Sequence, residues 1–345
     1  MIYDRPFQYK YSLIAGKIYQ HTGEIKSYLS GTSLRPILGA EFGIEWPSVG
    51  NKNYHHYYNV PTLGLGFAYL NLGNEERLGS AFAIYPYIDV PLLSTDPVDV
   101  NLSGGFGLGG VTKWNKQSPS NSYSFPDDSE TMPMFSSPLN VYIKGGLNIA
   151  IRPFINITNQ KLDNLSHYTY TIGAYMTHMS NGNFASPNHG LNMFTAEIGM
   201  KYTPPVITPV LRKEGEKLPH YFTVDIMGSA FMHELDRLDT KKYLIGNVNM
   251  ALYLQAGNIY RIGLGVDAFY DEAFAETHLD NPAIYDDFFN NRYNPDIIEQ
   301  RIRGGACLSN EFVIGRVTAA LDGGYYVYDN IKPQFAKVYD YKYDF

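Results

Sequence analysis

Apolar and polar residues alternate strictly over long stretches of this chain. In 139–151 the odd positions read Leu139, Val141, Ile143, Gly145, Leu147, Ile149 and Ile151, against Asn140, Tyr142, Lys144, Gly146, Asn148 and Ala150. In 98–109 one face carries Val98, Val100, Leu102, Gly104, Phe106 and Leu108, and the other Asp99, Asn101, Ser103, Gly105, Gly107 and Gly109. A period of two puts one oily and one polar face on an extended chain, as in a β-strand with unlike surroundings on its two sides. Soluble sandwiches share that pattern. Here the stretches run to about 10–13 residues, the length a tilted strand needs to cross a bilayer. No run approaches the ~18 apolar residues of a membrane helix, so a bilayer would be crossed by strands. The expected class is all-β: a transmembrane antiparallel β-barrel of about fourteen strands, with about twelve as the fallback, filling 1–345 as a single outer-membrane domain.

The strand segments fall near 10–22, 34–46, 61–73, 78–92, 97–113, 139–153, 167–180, 191–203, 219–233, 243–257, 258–271, 299–311, 313–328 and 333–345, with no helix of conviction between them. An even number places both chain ends on the periplasmic rim. The long polar connections 114–138 and 272–298 then lie outside. The tight turns at Gly257-Asn258 and around Glu311-Phe312 lie on the periplasmic side. Two connections, 46–60 and 204–218, are long for periplasmic turns. The last segment carries Tyr339, Tyr341, Tyr343 and Phe345 two apart, which suits an aromatic girdle and resembles the terminal signature of bacterial outer-membrane barrels.

Composition supports this reading and narrows the function. Aromatics make up 15% of the 345 residues, with 30 Tyr and 19 Phe, while charged residues are only 18%. Soluble domains carry nearer a quarter. The single cysteine, Cys307, rules out a disulfide framework and a cysteine metal cage, and is expected to be buried or lipid-facing. A formal charge of −7 argues against nucleic acid as partner. The opening residues lack a signal-peptide pattern, so the chain is expected to be a mature form with its signal peptide removed.

One stretch carries chemistry: Thr177-His178-Met179-Ser180-Asn181-Gly182-Asn183-Phe184, continuing through Pro187-Asn188-His189-Gly190-Leu191-Asn192. Ile172, Ala174 and Met176 are apolar even positions, so His178 and Ser180 belong to the lipid-facing side, where polar groups are costly without a role. They stand two apart, about 6.6 Å along the strand, a span an imidazole can close on a hydroxyl. The pair fits the base and nucleophile of an acyl transfer at the outer-leaflet interface. A site on the outside of a barrel makes sense for a lipid substrate.

His178-Met179-Ser180-Asn181 followed by Pro187-Asn188-His189-Gly190 resembles the His-x-Ser-Asn … Pro-Asn-x-Gly motif of the PagL-type lipid A 3-O-deacylases. Gly79 to Pro86 and the glycine-rich strand at 104–110 also resemble larger acyloxyacyl hydrolases of Bacteroidota-like bacteria. The resemblance implies an outer-membrane barrel that removes an ester-linked acyl chain of lipid A. Ser180 would be the nucleophile and His178 the general base. Asn181, Gly182, Asn188 and His189 would serve the oxyanion or the substrate. Where the family's triad carries Glu, this chain has Asn192; Glu197 has the parity of the lumen. No cofactor and no metal are implied. The expected partners are lipopolysaccharide with its lipid A, outer-membrane lipids, and the barrel-assembly machinery during biogenesis. A non-catalytic accessory barrel binding lipopolysaccharide or an outer-membrane protein partner, and a pore, are the competing readings. Lys144, Arg152, Arg261 and Asp267 are expected inside as a paired polar core, which disfavours the pore. His55-His56 are expected exposed or in a girdle, Lys113 and Lys116 at the interface, and Asp271, Glu272, Asp286 and Asp287 in a solvated loop.

Overall fold

A computed structural model describes residues 7–95, 97–114, 134–152, 168–185, 188–204, 215–234, 241–275, 301–315 and 317–329. The C-terminal aromatic segment, most of 114–138 and of 272–298, Lys116, Asp286, Asp287 and Pro187 lie outside them. The described chain falls into two compact units, before and after the Gly215–Glu216 junction.

In the first unit eight antiparallel strands close on themselves: β1 (Gln8–Tyr19), β2 (Ile37–Pro47), β3 (Thr62–Asn71), β4 (Ser80–Ser94), β5 (Val98–Val111), β6 (Leu139–Ile151), β7 (Tyr168–Ser180) and β8 (Leu191–Tyr202). Closure comes from β8 returning to β1, in a register running from Tyr9 opposite Tyr202 to Tyr19 opposite Asn192. The remaining strands form a separate five-stranded meander: β9 (Phe222–His233), β10 (Tyr243–Gln255), β11 (Tyr260–Asp271), β12 (Ile302–Ile314) and β13 (Val317–Asp329). Strand content and spacing thus match the sequence reading. The point of closure does not: one ring of fourteen is replaced by a ring of eight and a second sheet. Interstrand hydrogen bonds are made by the backbone, so period-two patterning says which face a residue takes but not which edge a strand joins.

Other corrections are local. Among the described residues two short α-helices occur: α1 (Gly23–Leu29), its first turn capped by the Thr22 hydroxyl, and α2 (Asn53–Tyr57), which accounts for the long 46–60 connection. His55 sits in α2 only 1% exposed, against the expected exposed position, because the helix turns that side chain inward. β12 runs through the expected turn at Glu311-Phe312 to Ile314. The chain reverses at Gly315 instead, whose φ of +67° is a left-handed conformation natural to glycine. Cys307 is half-buried beside Asn249 rather than buried or lipid-facing.

The facing expected for β6 holds throughout. Leu139, Ile143, Leu147 and Ile149 are among the exposed large side chains, while Asn140, Lys144 and Asn148 are buried. Outward apolar and inward polar faces are what lipid outside and a packed interior demand. The lumen of the eight-stranded ring is filled. Lys10 and Lys144 reach Glu41 at 2.9 and 2.5 Å, Lys144 also pairs with Glu197, and Lys201 stands between Glu45 (2.9 Å) and Asp89 (3.0 Å). Tyr85 donates to Glu41 and Tyr87 to Glu45, and the Tyr85 and Tyr142 rings pack 4.8 Å apart. These rings need bare backbone beside them: a Cβ on Gly64 would run into the ring of Tyr87. At one rim Ile25, Tyr28 and Leu29 of α1 join Met134, Phe135, Met179, Leu191 and Met193 in an apolar plug. An eight-stranded ring is just wide enough for side chains to fill. Of the residues expected inside, Lys144 takes part in this paired polar core; Arg152 pairs with Asp99 just past the end of β6 and is partly exposed, and Arg261 and Asp267 lie in the second unit. In the second unit Arg261 pairs with Glu311 (2.5 Å) and Asp225 (3.3 Å).

Candidate active site on the barrel exterior

β7 arrives at the plugged rim with its even positions outward: Ile172 is 50% and Met176 48% exposed, while Tyr175 and Met179 are buried. That parity puts His178 and Ser180 on the exterior. Opposite His178 stand Ile143 on β6 and Asn192 on β8; opposite Ser180 stands Val141. Phe194 and Ile198 continue the outward face below Asn192. Glu197 is buried in the lumen with Lys144, as its parity predicts, and is no partner for His178.

The described parts of the connection, 181–185 and 188–190, come close to the pair at Gly182 and Gly190. Gly182 and Asn183 take φ of +67° and +64°, turning the chain sharply after Ser180, and the Gly182 N–H donates to Ser180 Oγ at 3.4 Å. Gly190 has φ +67°, and a Cβ there would lie 2.9 Å from His178 Cε1 and 3.0 Å from Ser180 Cβ. The imidazole and the hydroxyl thus flank one bare backbone position that only glycine suits. Among the described residues no hydrogen bond joins His178 to Ser180; such contacts are often long in a site without substrate.

His178 Nδ1 lies 2.7 Å from Asn192 Oδ1. A carbonyl oxygen only accepts, so Nδ1 carries the proton and Nε2 is left as the basic nitrogen. Asn181 takes the lumen parity of an odd position and is 8% exposed. Its amide Nδ2 donates to Ser136 Oγ and to the Ala185 carbonyl, both at 3.0 Å, and its N–H donates to Asn188 Oδ1 at 3.2 Å. Asn181 therefore fastens the connection to the segment before β6 and faces away from Ser180. With Oδ1 of Asn188 so engaged, its amide Nδ2 is left to face other partners. The His189 side chain is exposed, and its carbonyl lies 3.0 Å from Nε2 of His21.

No motif in the sequence points to His21. It follows β1, and the β1–β8 pairing of Tyr19 with Asn192 carries it to this rim, where its Nδ1 stands 3.1 Å from Asn192 Nδ2. Below the site, outward Ala15, Gly145, Ala174 and Ala196 line the floor of an exterior groove of about 620 Å³, with Met176 and Phe194 on its walls. Met176 and Phe194 are the outward residues next below His178 and Asn192, so the groove lies one outward position below the pair.

The weaker candidates resolve simply. Lys113 is exposed at the rim end of β5. Asp271 and Glu272 are structural rather than loop solvation: Asp271 lies 3.0 Å from His233, and Glu272 accepts the Leu244 N–H. Among the described residues no group of three or more His, Cys, Asp or Glu could hold a metal ion.

Two family models match this chain. One, described as lipid A 3-O-deacylase (PagL), matches residues 38–201, and the other, acyloxyacyl hydrolase, C-terminal domain, matches 221–341. Among solved structures the chain is similar to the outer membrane enzyme PagL, at 11% identity over 57% of this chain and 99% of that one, with TM-score 0.32. It is similar to Neisserial surface protein A (NspA) at 9% identity over 57% and 96%, with TM-score 0.32. Ail of Yersinia pestis matches at 10% identity over 58% and 98%, with TM-score 0.28. No curated protein matches, so the likeness to Bacteroidota members rests on the sequence motifs alone.

Proposed function

The chain belongs to the lipid A 3-O-deacylase (PagL) and acyloxyacyl hydrolase family of the outer membrane, and we propose that it cleaves an ester-linked acyl chain from lipid A by a serine–histidine mechanism on the outside of its barrel. The observation that carries this reading is the outward-facing His178, Ser180 and Asn192, with the imidazole already oriented by Asn192.

In the proposed reaction Ser180 Oγ attacks the ester carbonyl while His178 Nε2 takes the hydroxyl proton. The tetrahedral oxyanion is met by the Gly182 N–H, which already points at Ser180 Oγ, and by the Asn188 side-chain amide. His178 returns the proton to the leaving alkoxide, and water, deprotonated by the same ring, releases the fatty acid from Ser180. The groove floored by Ala15, Gly145, Ala174 and Ala196 offers the departing acyl chain an apolar bed at membrane depth. Asn192 orients the imidazole without stabilising its charged form as a carboxylate would.

The test is lipid A mass spectrometry in a host making fully acylated lipid A. The parent should release one fatty acid and Ser180→Ala none. Asn188→Ala should lower kcat on the order of 10²-fold if it serves the oxyanion. Identical lipid A from parent and Ser180→Ala would leave the accessory-barrel reading in its place.

A further inference from the structure

Asn192 raises a problem that a carboxylate would not. An amide has two unlike ends, and only its oxygen can accept the Nδ1 proton of His178. Turned over, it would present N–H donors to Nδ1, drive the ring to the other tautomer, and place a proton on the nitrogen that must receive the one from Ser180. In serine proteases with a Ser–His–Asp triad, an Asp-to-Asn change disables catalysis through that wrong tautomer. Something in this site must hold the amide the right way round.

We propose that His21 does so, as a positioning residue of the hydrolytic site; this rests on the deacylase reading above. The contacts run inward from His189. His21 Nε2 lies 3.0 Å from the carbonyl oxygen of His189, which can only accept, so Nε2 carries the proton. Nδ1 of the neutral ring is then an acceptor. It faces Asn192 Nδ2 at 3.1 Å and is satisfied by an amide N–H. That turns Asn192 Oδ1 to His178 Nδ1 at 2.7 Å, fixes the proton there, and frees Nε2 as the base. The Tyr19 carbonyl, 3.2 Å from His21 Nδ1, competes for a proton on that nitrogen, but a neutral ring protonated there would turn the Nε2 lone pair to the His189 carbonyl at 3.0 Å and leave the Asn192 amide without its acceptor.

The ring is itself held. It stacks on Tyr19 at 6.3 Å between centroids, and it sits between the end of β1 and Thr22, whose hydroxyl caps α1. The His189 carbonyl directly precedes Gly190, so the same contact ties His21 to the backbone that borders Ser180.

Two measurements on the full-length protein test this. In the first, kinetics on purified lipid A in detergent compare the parent with His21→Ala, His21→Gln, Asn192→Glu and the double variant His21→Ala/Asn192→Glu. His21→Ala should lower kcat on the order of 10²-fold with little change in KM. His21→Gln, which keeps one donor and one acceptor, should recover most of the loss. With Glu at 192 there is no amide to orient, so removing His21 should change kcat within about twofold. An equal loss in both backgrounds would mean that His21 only supports the fold, and no loss in either would also overturn the proposal. In the second, ¹⁵N shifts of the histidine rings report the tautomer whether or not the protein is active. His178 should be Nδ1-protonated in the parent and His21→Gln, and mixed in His21→Ala. An unchanged His178 tautomer in His21→Ala would overturn the His21 assignment. Activity surviving in Ser180→Ala would overturn the deacylase mechanism instead.

Discussion

Gly190 shows how much of this site hangs on single positions. Its φ of +67° and the crowding of any Cβ by His178 and Ser180 act together. A side chain there would strain the backbone by about 1–3 kcal/mol and push the imidazole from the hydroxyl. Gly190→Ala should therefore lose most of its activity while keeping its barrel, as read by lipid A mass spectrometry beside heat-modifiability on a gel. Lys144 is the opposite case, a residue of the lumen rather than the site. Lys144→Met would leave the two buried carboxylates of Glu41 and Glu197 to share Lys10 alone among the described cations. That should cost about 3–5 kcal/mol, seen as a lower urea midpoint for unfolding from lipid vesicles. At this scale the outward facing of His178, Ser180 and Asn192, and the inward facing of Glu197, could be read from parity alone. The inward turn of Asn181 was equally legible, since 181 is an odd position on the same count, but the motif drew it toward the oxyanion. His21 could not be read. It lies 171 positions from Asn192 and meets it only through the β1–β8 seam.

Strands were the most legible elements, because side-chain alternation is a consequence of extended backbone and survives any topology. A charge set into that alternation should report on it. Leu102 lies midway along β5 on the outward face and is 49% exposed. Leu102→Arg should destabilise the barrel by about 2–4 kcal/mol in a bilayer, whereas Leu102→Met should be nearly neutral, both by urea titration in vesicles. The helices are hard to read from the sequence for an identifiable reason. α1 spans 7 residues and α2 spans 5, too short for a period near 3.6 to show. Thr22 two residues ahead of Glu24 is a usable capping signal, and the buried Ile25, Tyr28 and Leu29 show the spacing of one helical face. α1 matters beyond its size, since it helps plug the rim that carries the site.

For the molecule as a whole, the decisive question is where the first sheet closes. Leu13 and Ile198 face each other across β1 and β8, both strongly exposed on the outer surface. Opposed residues of an antiparallel pair stand about 4.5–5.5 Å apart at Cα, within disulfide range. With Cys307→Ser as background, Leu13→Cys/Ile198→Cys should form an intramolecular disulfide on mild oxidation of the folded protein, visible as a shift on a denaturing gel. A ring closing only after fourteen strands would keep the two cysteines apart and unbridged. The sequence by itself determined the strand class, the segment positions, which residues face lipid and which face inward, and the exterior placing of a histidine and a serine. All of these follow from local backbone geometry and from the cost of setting polar groups against lipid. The tertiary structure alone decided that β8 returns to β1 and which lumen charges meet. It also decided that a histidine from the far end of the unit reaches Asn192. Strand edges pair through backbone groups that every residue shares, so their choice of partner is written in the closed three-dimensional arrangement and not in any one segment.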